Sequence, residues 1–162
     1  MPFTVRDGTM YFLLGVDKVF HCLTDLGGGI KRRERKRREG VLKGGMREFR
    51  EESNSIFGAG YYSSELLYDQ VAIVDASLQM AAVFLPVSSE WLDSAVNLFA
   101  EEAKKERTRA CDEIESLVWV SEREFRGRIK TMWRPVKQFY GKGFTERLTV
   151  SLRYVFRQCL VS

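Results

Sequence analysis

The six residues Arg47-Glu48-Phe49-Arg50-Glu51-Glu52 constrain this chain more than any other stretch. Glu48, Glu51 and Glu52 stand at i, i+3 and i+4, a spacing that stacks all three on one face of a helix. Like charges stacked in this way cost a helix stability unless a cation lies between them. Hard oxygen donors converging on one point suit Mg²⁺ or Mn²⁺, ions that prefer carboxylate and water and often bridge to substrate phosphates. Such a helix needs its other side in a core. Leu42, Met46 and Phe49 at i, i+4 and i+7 supply that apolar stripe, so a helix is predicted over residues 42–53. Gly44 and Gly45 oppose it by up to about 1 kcal/mol each relative to Ala, which implies a late helix start or close packing there.

The chain has 162 residues, 44% hydrophobic and 30% charged, enough for one domain over 1–162 with a sizeable core. It contains no apolar run of membrane-spanning length. The opening residues Met1-Pro2-Phe3-Thr4-Val5-Arg6 lack the basic-then-apolar pattern of a secretory signal. Cys22, Cys111 and Cys159 are scattered without C-x-x-C spacing, which argues against structural zinc and against a disulfide framework. An intracellular, cytoplasmic location is the expectation.

Charge is informative once localised. Lys31-Arg32-Arg33-Glu34-Arg35-Lys36-Arg37-Arg38 carries seven cations and one anion, while the whole chain is only +4. The remainder is mildly acidic, and the basic run lies between Gly27-Gly28-Gly29 and the carboxylates. Its plain reading is an exposed loop or an address for the nucleus.

Along the chain, residues 3–6 and 10–14 read as strands around an Asp7-Gly8 turn, with a further short strand at 19–23. His21, the single histidine, reads as part of that strand beside a core. The glycine triplet breaks regular structure and lets backbone approach a neighbour closely. Residues 65–74 and 79–87 look strand-like, the second apolar enough to be central in a sheet. Ser88 or Ser89 is the expected N-cap of an amphipathic helix carrying Trp91, Leu92, Ala95, Val96, Leu98 and Phe99 into Lys104-Lys105. Residues 114–120 read as a strand. A C-terminal helical region follows from about 122, with helices at 122–132 and 145–158. The fold class is α/β or α+β with a mixed sheet.

Glu39, seven intervening residues, then Arg47-Glu48-Phe49-Arg50-Glu51-Glu52 resemble the box G-x5-E-x7-R-E-U-x-E-E-x-G-U of the Nudix hydrolases, with Phe49 in the bulky aliphatic place. Gly27-Gly28-Gly29-Ile30 is similar to the glycine-rich entry of that box. Asp112-Glu113-Ile114-Glu115 and Leu117-Val118-Trp119-Val120 look like the late strand that closes its sheet. The resemblance covers about residues 10–125. Two places depart from the pattern: Arg33 stands where the box glycine falls six residues before Glu39, so that taking Gly28 implies an insertion made by the basic run, and Asn54 replaces the later glycine. Asn tolerates the left-handed conformation a helix end needs.

The resemblance implies a Nudix-type α/β/α sandwich and hydrolysis of a nucleoside diphosphate linked to another group, by water attack on phosphorus with Mg²⁺ or Mn²⁺. Glu48, Glu51 and Glu52 would be metal ligands, with Glu51 also catalytic. Arg47 would pair with a carboxylate, Glu39 being one candidate, and Glu39 would itself touch the metal, directly or through water. Glu113, or second to it Glu115, would be the general base. Gly28 and Gly29 would lie against substrate. The cations Lys31, Arg32, Arg33, Arg35, Lys36, Arg37 and Arg38 would attract a polyanion longer than a nucleotide. Capped RNA fits that requirement, since it joins a pyrophosphate bridge to a trailing phosphate chain, and small decapping Nudix enzymes are similar in outline. Diphosphoinositol polyphosphates, dinucleoside polyphosphates and free nucleotides are the alternative substrates. A catalytically inactive Nudix-fold RNA-binding protein is the alternative of another class. Tyr61, Tyr62, Tyr68, Trp133, Phe139 and Tyr140 read first as packing, with one or two available to sandwich a base. Residues 144–160 are amphipathic enough to dock on the core or on a second subunit, so both monomer and homodimer stay open.

Overall fold

A computed structural model describes residues 1–35, 40–63, 66–67, 70–75, 78–105, 113–132, 134–141 and 148–151. The chain opens with β1 (Pro2–Arg6) and β2 (Thr9–Asp17), an antiparallel hairpin in which Arg6 faces Thr9. Asp7 (φ 51°) and Gly8 (φ 73°) both take positive φ, the two-residue turn that matches strand twist and that an Asp-Gly pair supplies. β3 (Leu23–Thr24) then pairs with Val16 and Gly15 of β2. Residues 19–23 are not the strand their apolar character predicts. The Asp17 carboxylate accepts hydrogen bonds from the backbone N–H of Val19 (2.8 Å) and Phe20 (2.6 Å), turning the chain before a ladder can start. Val19 and Phe20 consequently project into solvent.

The basic run contributes α1 (Arg32–Arg35), a single helical turn where a loop was expected. After it comes α2 (Gly40–Glu52), which starts earlier than predicted and does bury Gly44 along with Leu42, Met46 and Phe49. Residues 66–67 lie in a short 3-10 turn, so only β4 (Val71–Asp75) of the predicted 65–74 segment is a strand. The apolar run 79–87 divides at Phe84. β5 (Met80–Val83) pairs with β4 in a small sheet, while β6 (Leu85–Pro86) runs parallel to β1 at an edge of the main sheet. It is therefore central in neither, and Pro86, lacking an N–H, suits an edge.

Next come α3 (Trp91–Lys104), β7 (Ile114–Ser121), α4 (Glu122–Arg128) and α5 (Arg134–Gly141). The cap position of α3 falls on Glu90, without a side-chain cap bond, rather than on Ser88 or Ser89. The Ser88 hydroxyl instead accepts from the Glu90 N–H at 3.4 Å. The predicted 122–132 helix becomes α4 followed by a 3-10 turn at Ile129–Thr131. Finally β8 (Leu148–Ser151) pairs antiparallel with β4, which overturns the start of the predicted 145–158 helix. Leu148-Thr149-Val150-Ser151 alternates apolar and polar residues, the period of a strand. The rest of that predicted helix lies outside the described residues.

The fold is mixed α/β: among the described residues, a five-stranded mixed sheet, a second small sheet, and helices. β2 is its spine. Tyr11 and Phe12 pair with both β1 and β7, and Gly15 pairs with both β3 and β7. Hence β1 and β3 share one edge of β2, and β7 runs along the other. Leu13 and Leu14 are both entirely buried although successive strand residues face opposite ways, so the sheet is covered on both sides. Leu13, with Ile114 and Leu117 of β7, packs against Leu42, Met46 and Phe49 of α2 and Ala95 and Phe99 of α3. Leu14 and Val120 pack on the other face against Phe125 of α4, Val136 and Phe139 of α5, and Ile73 and Ala82 of the small sheet. Among the described residues no helix is long and apolar enough to cross a membrane.

Candidate functional site

The α2 helix puts its apolar stripe into the core and leaves Glu48, Glu51 and Glu52 on another side, facing the segment that follows β3. The glycine triplet lies along that side, and each glycine meets one helix residue. The Gly27 N–H donates to Glu52 Oε2 at 2.7 Å. A Cβ placed on Gly28 would lie 2.6 Å from Glu48 Oε2. The Gly29 carbonyl accepts from Arg47 Nη2 at 3.4 Å. None of the three has positive φ, and a Cβ on Gly27 or Gly29 would meet nothing. Only Gly28 is required to be glycine by space, and the space it yields belongs to Glu48.

Arg47 supplies the cation that the stacked carboxylates need. Its Nη1 lies 2.5 Å from Glu48 Oε1 and 2.9 Å from Glu51 Oε2. All three side chains are partly withdrawn from solvent, 20% exposed for Arg47, 17% for Glu48 and 30% for Glu51, so these pairs are less screened than surface ones. Arg47 therefore pairs within its own helix, with Glu48 and Glu51.

Glu52 behaves differently. It is 7% exposed, and burial pushes its pKa up from 4.5 to about 9 against the hydrogen bond from Gly27. The nearby carboxylates of Asp25, Glu48 and Glu113 add to that rise. Three acidic side chains from three parts of the chain thus lie within electrostatic reach of Glu52: Asp25 beyond β3, Glu48 on α2, and Glu113 at the entry to β7. Asp25 was not among the residues the sequence singled out. It accepts a hydrogen bond from the Tyr140 hydroxyl at 3.3 Å, and burial raises its pKa against the opposing pull of the Met1 amino group and Tyr140. Only its position two residues before the glycines could have drawn attention to it.

Glu113 is exposed, and its carbonyl accepts from the Lys18 N–H at 2.9 Å, tying the β2–β3 turn to the start of β7. Glu115 is turned elsewhere: its Oε2 meets His21 Nδ1 at 3.0 Å. His21 itself, at φ 50°, sits exposed in the turn rather than in a strand beside a core. Lys31, Arg32 and Arg33 are exposed, and Arg35 closes α1. Lys36, Arg37, Arg38 and Glu39 lie outside the described residues, as do Tyr68 and Trp133. Tyr61 and Tyr62 pack against Phe57 and Phe49, and Phe139 and Tyr140 are buried, so these four are packing residues. At the end of α2, Asn54 takes φ 52° and its N–H bonds the Glu51 carbonyl at 3.2 Å, the left-handed helix exit expected of it.

Among the described residues, no three acidic, histidine or cysteine side chains already stand together closely enough to hold a metal ion. The donor set nevertheless fits a hard divalent cation in its chemistry. All its donors are carboxylate oxygens, one is buried amid like charges, and the side chain now neutralising two of them is a flexible arginine. The chain matches no protein-family model, no curated protein and no solved structure.

Proposed function

We propose that this protein is a Nudix-type pyrophosphohydrolase that cleaves a nucleoside-diphosphate-linked substrate by water attack on phosphorus. The observation that supports the reading is the fit of Gly27–29 along α2, which seats Glu48 and Glu52 against the glycines beside the Arg47–Glu51 pair, with Asp25 and Glu113 within electrostatic reach of Glu52. A cluster so acidic repels a pyrophosphate by itself, so the reading includes Mg²⁺ or Mn²⁺ held by Glu48, Glu51 and Glu52. Such an ion supplies charge neutralisation of the phosphate oxygens and a more acidic bound water. The chain's own contribution is to place the carboxylates: Gly28 leaves room for Glu48, Gly27 fixes Glu52, and Arg47 neutralises the charge of Glu48 and Glu51. Glu113, exposed at the rim, is the residue this reading uses to take a proton from the attacking water, a role typically worth about 10²–10⁴-fold in rate.

The favoured substrate is the capped 5′ end of RNA, because the cations of the 31–38 run follow the glycines directly and suit a chain of phosphates. Inositol pyrophosphates, dinucleoside polyphosphates and free nucleotides belong in the same assay. Purified protein is incubated with each, with and without Mg²⁺ or Mn²⁺, beside Glu51→Gln. Metal-dependent release of a nucleoside diphosphate from capped RNA, lost in the variant, is expected. If no substrate is cleaved, or Glu51→Gln cleaves as well as the parent, the enzyme reading fails and a binding protein of this fold takes its place.

A further inference from the structure

Phe20 is an aromatic side chain that the core does not claim. It is 65% exposed and its neighbour Val19 75%, while among the described residues no other aromatic side chain is exposed. A single apolar residue in solvent is ordinary on a protein surface and by itself means nothing. The backbone beneath this one is not ordinary. The Asp17 carboxylate accepts from the N–H groups of Val19 and Phe20, and the Asp17 carbonyl accepts from the His21 N–H at 2.9 Å. The Asp17 N–H in turn donates to the Cys22 carbonyl at 2.9 Å. His21 completes the turn at φ 50°, and its ring meets Glu115 at 3.0 Å. The Lys18 N–H, donating to the Glu113 carbonyl at 2.9 Å, fastens the turn to the start of β7. A ring carried on such a turn is held outward by the fold.

We infer that Phe20 is a stacking platform for a nucleobase of the substrate, at the rim of the carboxylate site. Place argues for it first. The turn stands at the end of the sheet where Glu113 enters β7, and Glu113 lies within electrostatic reach of Glu52. Five residues separate Phe20 from Asp25, at most about 17 Å of extended chain, and the turn shortens that distance. A nucleotide whose pyrophosphate lies among the carboxylates carries its base outside them, at such a rim. Size argues next. An aromatic side chain offers roughly 150–250 Å² in all, so this tip falls well short of the ~800 Å² that each side of a stable protein interface buries. It matches the face of one base, and every base has a π-face for an aromatic ring to take. Tyr61, Tyr62, Phe139 and Tyr140 are committed to packing and leave that role to Phe20. The inference rests on the proposed hydrolase reading for the phosphates it places beside the turn. It adds the group that selects nucleotides over pyrophosphates without a base.

Phe20 is exposed, so its replacement leaves the core untouched. The probes are an adenosine diphosphate with a methylene bridge between its phosphorus atoms, which is not hydrolysed there, and methylenediphosphonate, the same bridge without a nucleoside. Both are titrated in Mg²⁺ against the full chain and its Phe20→Ala, Phe20→Leu and Phe20→Trp variants. The parent is expected to bind the nucleoside compound more tightly than methylenediphosphonate. Phe20→Ala should bind the nucleoside compound at least ~5-fold more weakly than the parent, and methylenediphosphonate equally well. Phe20→Trp should keep the parent's affinity, and Phe20→Leu, which has apolar bulk without a ring, should follow Phe20→Ala. Equal affinity of the parent for the two compounds would overturn the platform. So would a Phe20→Leu that binds like the parent, or a Phe20→Ala that loses both compounds alike. Cleavage of nucleotides by a parent whose affinity is indifferent to Phe20 removes the platform and keeps the hydrolase. A loss confined to the nucleoside compound, in a protein that cleaves nothing, supports the platform and removes the hydrolase.

Discussion

The Glu48 carboxylate occupies the volume that a side chain on Gly28 would need, with Oε2 only 2.6 Å from where a Cβ would stand. The contact is with the flexible end of Glu48, and the backbone of Gly28 is not left-handed. Gly28→Ala is therefore expected to displace a carboxylate rather than a helix. Its unfolding free energy should fall by no more than about 1 kcal/mol, within the usual range for a minor steric adjustment. On the proposed hydrolase reading, metal-dependent hydrolysis should fall at least ~10-fold, because a carboxylate moved by an ångström loses its geometry as a ligand. Gly27→Ala and Gly29→Ala, whose Cβ atoms meet nothing, are the controls, and equal losses in all three would rule out the steric account.

Arg47 competes with any divalent ion for Glu48 and Glu51. Removing it leaves two partly buried carboxylates uncompensated, so Arg47→Ala in EDTA should be about 1–3 kcal/mol less stable than the parent. The same change frees both groups to hold a cation. Stabilisation by a ligand grows with concentration over Kd, so the rise in Tm on adding Mn²⁺ should be larger for Arg47→Ala than for the parent. Thermal denaturation across a Mn²⁺ titration measures both. A smaller rise in the variant would mean that Arg47 prepares the site instead of competing for it.

The parts of the fold legible in the sequence are those where local chemistry and tertiary packing agree. The Asp7-Gly8 turn, the buried stripe of Leu42, Met46 and Phe49, and the strand from Ile114 onward follow from residue types and period alone. The failures occur where a side chain or a second sheet overrides the local pattern. Asp17 captures two backbone N–H groups and bends an apolar segment into a turn, leaving Phe20 in solvent. The run from Met80 to Pro86 is uniformly apolar because it serves two sheets in succession, which no single-strand reading can separate. In the site, the spacing of Glu48, Glu51 and Glu52 was visible, but it could not reveal that Glu52 turns inward to Gly27 while Glu48 and Glu51 share Arg47. Asp25 was invisible, because what brings it to Glu52 is the path of the chain after β3 and not any motif.

Gly15 is where the sheet spine and the site are packed most tightly together. A Cβ there would lie 2.8 Å from Ile114 Cδ1 and 3.2 Å from Leu26 Cδ2, both in the core and each beside a segment that carries a site carboxylate. Overpacking of this kind costs about 1–3 kcal/mol, so Gly15→Ala should lower the midpoint of urea unfolding with its m-value unchanged. Ile114→Val deletes the nearest methyl. The double variant should recover part of the loss, giving a favourable coupling in the mutant cycle. Strict additivity would place the strain elsewhere.

Beside the buried Asp25 and the Met1 amino group, Glu52 contributes its own share to the pH dependence of the metal-free protein. Its pKa is about 9 in the folded chain against 4.5 ordinarily, because burial and the neighbouring carboxylates disfavour the charge. Between those values the unfolded chain has released a proton that the folded chain keeps, so stability falls as pH rises, by up to about 1.4 kcal/mol per pH unit for a single proton. Glu52→Gln reproduces the protonated form and retains an oxygen to accept from the Gly27 N–H. In EDTA it should match the parent near pH 5 and exceed it in Tm by a margin that widens towards pH 9. Metal-dependent hydrolysis should meanwhile be lost, since an amide is a poor ligand for a hard cation. A margin between Glu52→Gln and the parent that stays constant from pH 5 to pH 9 would mean that Glu52 is ionised in the fold, and that a cation on its own chain, rather than a proton, neutralises it.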